Sequence, residues 1–195
     1  MENKPIIILD PAHGFDVSGK RSPDGKIEEW QWSRNFISKL KERLIDEFFT
    51  IAIPVREEYE IGLSNRVKRY NKIPNAVVIS FHLNAAGNGS QWMSARGFEI
   101  WTSKGETKSD ELATIVFNTV QEDFPEMKMR PNTWDPKEES MDPDWEANFR
   151  VLMSKHPSML IEFGFQDNKD DVDMLLDEEW QYRMVETMVK AIKKF

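Results

Sequence analysis

Apolar residues along the chain fall into two alternating patterns, short continuous runs and longer stretches in which they recur three or four residues apart. The continuous runs predict buried strands at 6–9, 50–54, 76–81, 97–102 and 159–163, with a weaker one at 148–153. The helical spacing predicts amphipathic helices at 30–47, 61–72, 109–124, 169–176 and 178–194. This alternation predicts an α/β fold, in which a mostly parallel sheet is covered by helices on both faces. The length of 195 residues predicts a single domain over 1–195.

Two stretches interrupt this pattern. Residues 14–28 form a loop containing glycine, serine and proline, and residues 125–148 are rich in proline and acidic side chains. The second stretch also holds Trp134 and Trp145. An irregular stretch of that length inside a compact domain is usually either functional or disordered.

The composition excludes several classes of function. The chain has 26 basic and 34 acidic residues, a formal net charge of −8, whereas a protein that binds duplex nucleic acid presents a basic face. It has no cysteine, which excludes disulfides and cysteine-based metal sites. No apolar run approaches the roughly 18 residues of a membrane span, and the first apolar run is too short for a signal peptide. We therefore expect no nucleic-acid binding, no membrane insertion, and a protein that stays in the cytosol unless something releases it.

Three polar residues stand where predicted strands end: His13, His82 and Glu162. Since ligands bind at the carboxyl ends of the strands in an open parallel sheet, these side chains are expected to converge at one edge. Two histidines there suggest a metal, and a nitrogen and oxygen site without cysteine suggests zinc. A catalytic zinc has three protein ligands, and Glu28 and Glu29 are both candidates for the third. Glu162 would then act on the zinc-activated water as general base and on the leaving nitrogen as general acid.

Six stretches of the chain resemble the zinc-dependent N-acetylmuramoyl-L-alanine amidases, and most closely their phage-endolysin-like members. They are ILDPAHG (8–14), SPDGKIEEWQWSR (22–34), LSNRVKRYN (63–71), ISFHLNA (79–85), GFEIW (97–101) and MLIEFGFQDN (159–168). Together these stretches span most of the chain, and the three that carry His13, His82 and Glu162 occur in the family's order and spacing. The chain departs from the family's usual pattern in two places: Ala12 replaces a glycine of the first motif, and the Arg-x-x-Asp motif has become Arg56 to Tyr59 without the aspartate.

The resemblance implies a mixed, mostly parallel sheet of about six strands and one Zn²⁺ per chain. It implies zinc ligands at His13, Glu29 and His82, with Glu162 as the catalytic carboxylate. Glu29 is preferred to Glu28 because the family's glutamate stands four residues before an Asn or Ser, here Ser33. The implied reaction hydrolyses the amide between the lactyl group of N-acetylmuramic acid and the L-alanine of the peptidoglycan stem peptide.

Other polar and aromatic residues have two interpretations each. Asn84 either positions substrate or caps a turn. Arg150 either binds a stem-peptide carboxylate or makes a surface ion pair. Trp134, with Trp145, either contacts substrate or holds its own loop in place. His156 precedes Pro157 and is expected at the opposite edge of the sheet, away from the metal.

Three functions remain open at this point. The first is the peptidoglycan amidase, in the role of a phage or prophage endolysin or of a secreted bacterial enzyme. The second is another zinc hydrolase of cell-wall material, either a peptidase or an amino-sugar deacetylase. The third is a non-catalytic wall-binding module. In each case we expect peptidoglycan as the partner and a monomeric protein. For the endolysin role we expect a protein that stays in the host cytoplasm until it is released to the cell wall or periplasm.

Overall fold

A computed structural model describes residues 4–132 and 143–195. The strands are β1 (Ile6–Pro11), β2 (Ile51–Ala52), β3 (Ala76–Asn84), β4 (Glu99–Thr102), β5 (Trp145–Glu146) and β6 (Ser158–Phe165). The helices are α1 (Glu29–Asp46), α2 (Leu63–Tyr70), α3 (Lys108–Asp123), α4 (Lys169–Leu176) and α5 (Glu178–Ile192), with a 3₁₀ helix at Arg150–Leu152. Side-chain caps begin three of the helices, since Thr107, Asn168 and Asp177 each accept backbone N–H bonds from the following turn.

The strands form one mixed sheet in the order β2-β1-β3-β6-β4-β5. Strands β2, β1, β3 and β6 are parallel, and β4 runs antiparallel to β6 with β5 parallel to β4. The three central strands are almost entirely buried, which is why their sequences are continuously apolar. This confirms the predicted α/β sheet of about six mostly parallel strands. It also brings the carboxyl ends of β1, β3 and β6 to one edge.

The two faces of the sheet are covered unequally. Helices α1, α3, α4 and α5 pack on one face and form the main core, where the rings of Phe36, Phe81 and Phe163 lie 5.0–5.9 Å apart. On the other face, α2 covers β1 and the first half of β3 through Val67 and Tyr70. The 3₁₀ helix and Trp101 cover part of β6. Among the described residues, no helix is long and apolar enough to cross a membrane.

The predicted strand at 148–153 is wrong. Arg150–Leu152 is a 3₁₀ helix, in which the consecutive residues Val151 and Leu152 both bury against Leu160. Successive side chains of a strand point to opposite faces, so two consecutive residues can pack on the same side only in a helical turn. The short strand β5 lies a few residues earlier, within the stretch 125–148 that we interpreted as irregular. Of the predicted strand 50–54, only Ile51–Ala52 is a strand in the structure. This strand, β2, lies at the edge of the sheet and pairs only with β1.

Candidate metal centre

His13 lies in the turn that leaves β1 at the carboxyl edge of the sheet. Its backbone has φ = 37°, in the left-handed region that residues other than glycine seldom adopt. The turn is joined to the neighbouring strand by a bond from the Ala12 N–H to the Phe81 carbonyl at 3.1 Å. This conformation turns the imidazole toward the end of β3, where its ring centroid lies 5.1 Å from that of His82 and perpendicular to it.

Glu29 begins α1 and is fully buried between the two imidazoles. Its Oε1 lies 2.9 Å from His82 Nδ1 and 3.7 Å from His13 Nε2, and it accepts the backbone N–H of Leu83 at 3.1 Å. Helix α1 can place its first turn here because the Glu29 N–H donates to the Lys20 carbonyl at 3.0 Å. One ligand atom from each of His13, Glu29 and His82 lies within 4.8 Å of the others.

Glu28, the alternative third ligand, does not join this group. Its Oε2 accepts the indole N–H of Trp30 at 3.0 Å. Helix α1 begins at the next residue, and a helix turns by about 100° per residue, so adjacent side chains point in different directions. The structure thus brings Glu29, rather than Glu28, beside both histidines.

The electrostatics of the cluster favour metal ligation. Desolvation lowers the pKa of His13 to about 4, against the partial opposition of the negative charge of Glu29. Burial alone would raise the pKa of Glu29, but the hydrogen bond and charge of His82 lower it below its usual value. A neutral imidazole and an ionised carboxylate are the forms that bind a divalent cation.

Glu162 lies on β6 directly opposite His82 on β3 and opposite Glu99 on β4. The side chain is half-buried, and its Oε2 is inaccessible and has no hydrogen-bond partner among the described residues. Desolvation raises the pKa of Glu162 well above its usual value, and the negative charges of Glu29 and Glu99 add to the shift. An unpaired carboxyl group with a raised pKa beside the cluster is suited to proton transfer.

The donor set fits a zinc ion. Two imidazoles and one carboxylate are a known set of three protein ligands, and they leave a fourth position for a reacting molecule. The contact between His82 Nδ1 and Glu29 Oε1 at 2.9 Å also fits, since both atoms can bind one cation once His82 Nδ1 has lost its proton.

The remaining predicted residues lie in different places. Asn84 donates to Glu99 Oε1 at 2.6 Å and accepts the N–H of Ala85, so it caps the end of β3 while holding Glu99. Arg150 is exposed and donates to Ser64 Oγ at 3.3 Å, and the strand expected to carry it is absent. Trp134 lies outside the described residues.

Trp145 and His156 contact backbone carbonyl groups away from the cluster. Trp145 donates to the Arg130 carbonyl at 2.9 Å and packs on Trp101, with ring centroids 5.7 Å apart. His156 lies just before β6, where its Nε2 is 3.2 Å from the Tyr70 carbonyl. It stands at the edge of the sheet opposite the cluster, as expected.

Sequence reasoning missed several residues that contact the cluster or surround it. Gln166 donates to Glu29 Oε2 at 3.4 Å. Glu99 is buried, and it accepts the N–H of Trp101 at 3.0 Å and that of Arg130 at 2.6 Å in addition to the Asn84 amide. A charged residue in the apolar strand GFEIW is the signal that could have found Glu99, because the same signal identified Glu162. The other missed residues are Asp10, Arg34, Arg66 and Ser80.

Comparison with known proteins agrees with this geometry. The family model described as N-acetylmuramoyl-L-alanine amidase matches residues 7–194. The chain belongs to this family. It therefore acts as an N-acetylmuramoyl-L-alanine amidase, and peptidoglycan fits as its substrate. No curated protein sequence matches the chain.

Solved amidase structures share the fold over nearly the whole chain. The N-acetylmuramoyl-L-alanine amidase from Clostridium difficile 630 is 26% identical with a TM-score of 0.83, and the match covers 99% of this chain and 97% of that one. The catalytic domain of CwlV, an amidase from Bacillus (Paenibacillus) polymyxa var. colistinus, is 19% identical with a TM-score of 0.78 and 97% coverage of both chains. The catalytic domain of the CD27L endolysin, which targets Clostridia difficile, is 18% identical with a TM-score of 0.71 and 97% coverage of both chains.

Proposed function

We propose that this amidase is zinc-dependent and that it cleaves the bond between N-acetylmuramic acid and L-alanine with water as the nucleophile. One observation carries the proposal: ligand atoms of His13, Glu29 and His82 lie within 4.8 Å of one another, beside the unpaired carboxyl group of Glu162. We assign the three clustered residues as ligands of one zinc ion per chain and Glu162 as the catalytic residue.

The reaction consumes one water and yields a lactyl carboxylate and an L-alanyl amine. When bound, a zinc ion supplies Lewis-acid chemistry, which polarises the amide carbonyl and makes water a better nucleophile at neutral pH. Glu162 accepts the proton from the attacking water and then donates it to the leaving nitrogen as the C–N bond breaks. Its raised pKa makes it a stronger base than an exposed glutamate and lets it hold the proton between the two steps.

Metal replacement and substitution at Glu162 together test this proposal. A chelator should abolish hydrolysis of purified peptidoglycan, and added zinc should restore it. Glu162→Gln should keep one zinc per chain and lose turnover by about 10²–10⁴-fold, as expected for loss of a general acid–base group. The matched variant Glu28→Gln changes the neighbouring carboxylate that lies outside the cluster, and it should keep both the zinc ion and the wild-type turnover. Activity of Glu162→Gln at the wild-type rate would contradict the mechanism.

Product analysis separates the amidase from the other zinc hydrolases. New N-terminal L-alanine with an intact glycan identifies the amidase reaction. Cleaved cross-bridges would instead identify a peptidase, and free amino-sugar groups a deacetylase. Binding of wall fragments by metal-free protein without any hydrolysis would favour a wall-binding module.

We further propose that the protein is a phage or prophage endolysin that acts as a monomer after release from the host cytoplasm. The resemblance of its motifs to endolysin-like amidases supports this role. Added enzyme should leave intact host cells unaffected and lyse permeabilised ones, and lysis of intact cells would contradict the role. Sedimentation should give a mass of one chain.

A further inference from the structure

Two arginines hold three successive carbonyl groups of the turn that carries His13. Arg66, on α2, donates from Nη1 to the Pro11 carbonyl. Arg34, on α1, donates from Nη1 to the Ala12 carbonyl at 3.0 Å and from Nη2 to the His13 carbonyl, also at 3.0 Å. A turn with φ = 37° at His13 stores strain and persists only where its surroundings determine it. These three hydrogen bonds hold the turn in its strained conformation.

Arg66 also reaches the second histidine, through a chain of buried groups. Its Nη1 donates to Asp10 Oδ1 at 2.8 Å, and Ser80 Oγ donates to Asp10 Oδ2 at 2.6 Å. The hydroxyl of Ser80 has a single hydrogen and gives it to Asp10, so it can only accept from His82 Nε2, which lies 3.1 Å away. His82 Nε2 therefore carries a proton, and Nδ1 is left facing Glu29.

The burial of these groups argues against a role in stability alone. Arg66, Asp10 and Ser80 are each at most 1% exposed. Arg66 meets a second carboxylate, that of Glu60, with bonds of 3.1 and 2.8 Å. A buried ion pair is often no more stabilising than apolar residues of the same volume. A network with so many directed bonds, ending on both histidines, is explained better by what it orients.

We propose that Arg34, Arg66, Asp10 and Ser80 are positioning residues that preform the metal centre, by fixing the turn of His13 and the ring nitrogen that His82 presents. We call these four residues the positioning set. The inference rests on the proposed function, because it assumes a zinc ion held by both histidines. Residues that orient metal ligands typically change metal affinity by about 10–100-fold when they are removed.

The first test is the zinc affinity of Ser80→Ala, measured by competition with a chromophoric chelator. We expect the dissociation constant for Zn²⁺ to rise by about 10–100-fold, while the melting temperature of the metal-free protein shows that the fold is kept. Ser158→Ala is the matched control, since Ser158 is another buried serine on the same face of the sheet, at the opposite end of β6. It should bind zinc as the wild type does.

A spectroscopic signature separates positioning from a general structural effect. In ¹⁵N-histidine spectra of zinc-loaded wild type, His82 should show a protonated Nε2 and a metal-bound Nδ1. In Ser80→Ala the Nε2–H resonance should lose its hydrogen-bonded shift or exchange faster with solvent. Metal binding through Nε2 of His82 in the wild type would overturn the inference.

The second test addresses the turn of His13 through Arg34→Met, which keeps an unbranched stem and removes the guanidinium. Zinc affinity should fall at least 10-fold in Arg34→Met. The affinity of Arg34→Lys should lie between those of the wild type and Arg34→Met, because an ammonium group cannot span both carbonyls. The matched control is Arg69→Met, since Arg69 holds the Pro54 carbonyl of a loop in the same way, at 2.8 Å. It should leave the affinity unchanged.

The outcomes distinguish the two proposals. Wild-type protein that binds no zinc would overturn the proposed function and this inference with it. Wild type that binds zinc tightly, together with folded Ser80→Ala and Arg34→Met variants of equal affinity, would overturn only the positioning set. If Arg34→Met fails to fold, Ser80→Ala decides, because it removes a single oxygen atom.

Discussion

His82 and Glu162 occupy directly opposed positions on the adjacent parallel strands β3 and β6. Because side chains of a strand alternate between faces, opposed residues share a face, and a shift of one residue in this register would separate them across the sheet. The proposed catalytic carboxyl group and the proposed zinc-binding imidazole are thus placed together by the core of the sheet. The register is maintained by Ile79, Phe81, Met159 and Ile161, which alternate with the site residues and face the main core.

Glu162→Gln is expected to stabilise the metal-free protein at neutral pH while it abolishes turnover. The folded-state pKa of Glu162 is raised, so ionisation at pH 7 costs folding free energy that is absent below the unfolded value of about 4.5. Removal of an unpaired carboxylate with one inaccessible oxygen is worth on the order of 1–3 kcal/mol. Urea unfolding at pH 7 and pH 4 measures the difference, which should nearly vanish at pH 4. A variant less stable than wild type at pH 7 would contradict the raised pKa.

His13→Asn should lose zinc and alter the dependence of stability on pH. The folded pKa of His13 is lowered to about 4, so the wild-type metal-free protein should be fully stable above the unfolded value of 6.5. It should lose stability as the pH falls toward 4, by at most about 1.4 kcal/mol per pH unit for one proton. Asparagine has no such proton and tolerates positive φ, so the slope should flatten. His156→Asn, at the other edge of the sheet, is the control that should keep both zinc and slope.

Zinc itself should raise the stability of the wild type but not that of Glu29→Gln. A ligand at about 100 times its dissociation constant stabilises a folded protein by about 2.7 kcal/mol, which thermal unfolding with and without zinc will detect. Glu29→Gln removes the only carboxylate of the cluster, and its melting temperature should not respond to the metal. Glu28→Gln should respond like the wild type. An equal zinc response in all three proteins would place the metal elsewhere.

Glu99→Gln should move the acidic limb of the pH–activity profile to lower pH. The negative charge of Glu99 contributes to the raised pKa of Glu162 after desolvation, so removing it lets Glu162 ionise more easily. The variant also leaves Arg130 without its carboxylate partner at 2.6 Å, at a cost of about 1–3 kcal/mol in unfolding free energy. Glu111→Gln, on the exposed side of α3, is the control. A profile of Glu99→Gln identical to the wild type would show that the two carboxyl groups are not coupled.

The order and type of most elements follow from the sequence because burial on both faces imposes an unbroken apolar run on each central strand. For the same reason, polar residues at the ends of these runs, His13, His82 and Glu162, could be selected without knowledge of the structure. Glu28 and Glu29 could not be separated from periodicity alone, since the choice depends on the residue at which α1 begins. The start of α1 is set by a bond to the distant Lys20 carbonyl.

The positioning set was invisible to sequence reasoning for a different reason. Arg34 and Arg66 lie on helices α1 and α2, where arginine is ordinarily a solvated residue, and each reaches the turn of His13 only through tertiary packing. Likewise, the expected strand at 148–153 has the right composition. It became a 3₁₀ helix because Val151 and Leu152 had to bury on one side.

The unequal covering of the sheet has a consequence for how the enzyme meets a polymer. Among residues 4–132 and 143–195, four helices pack on one face of the sheet, while the other face carries α2 and the 3₁₀ helix. His82 and Glu162 lie on this second face, because the residues that alternate with them face the main core, and we expect a polymeric substrate to approach from that side. Substitutions in the loops on that side would therefore leave the main hydrophobic core behind the sheet unchanged.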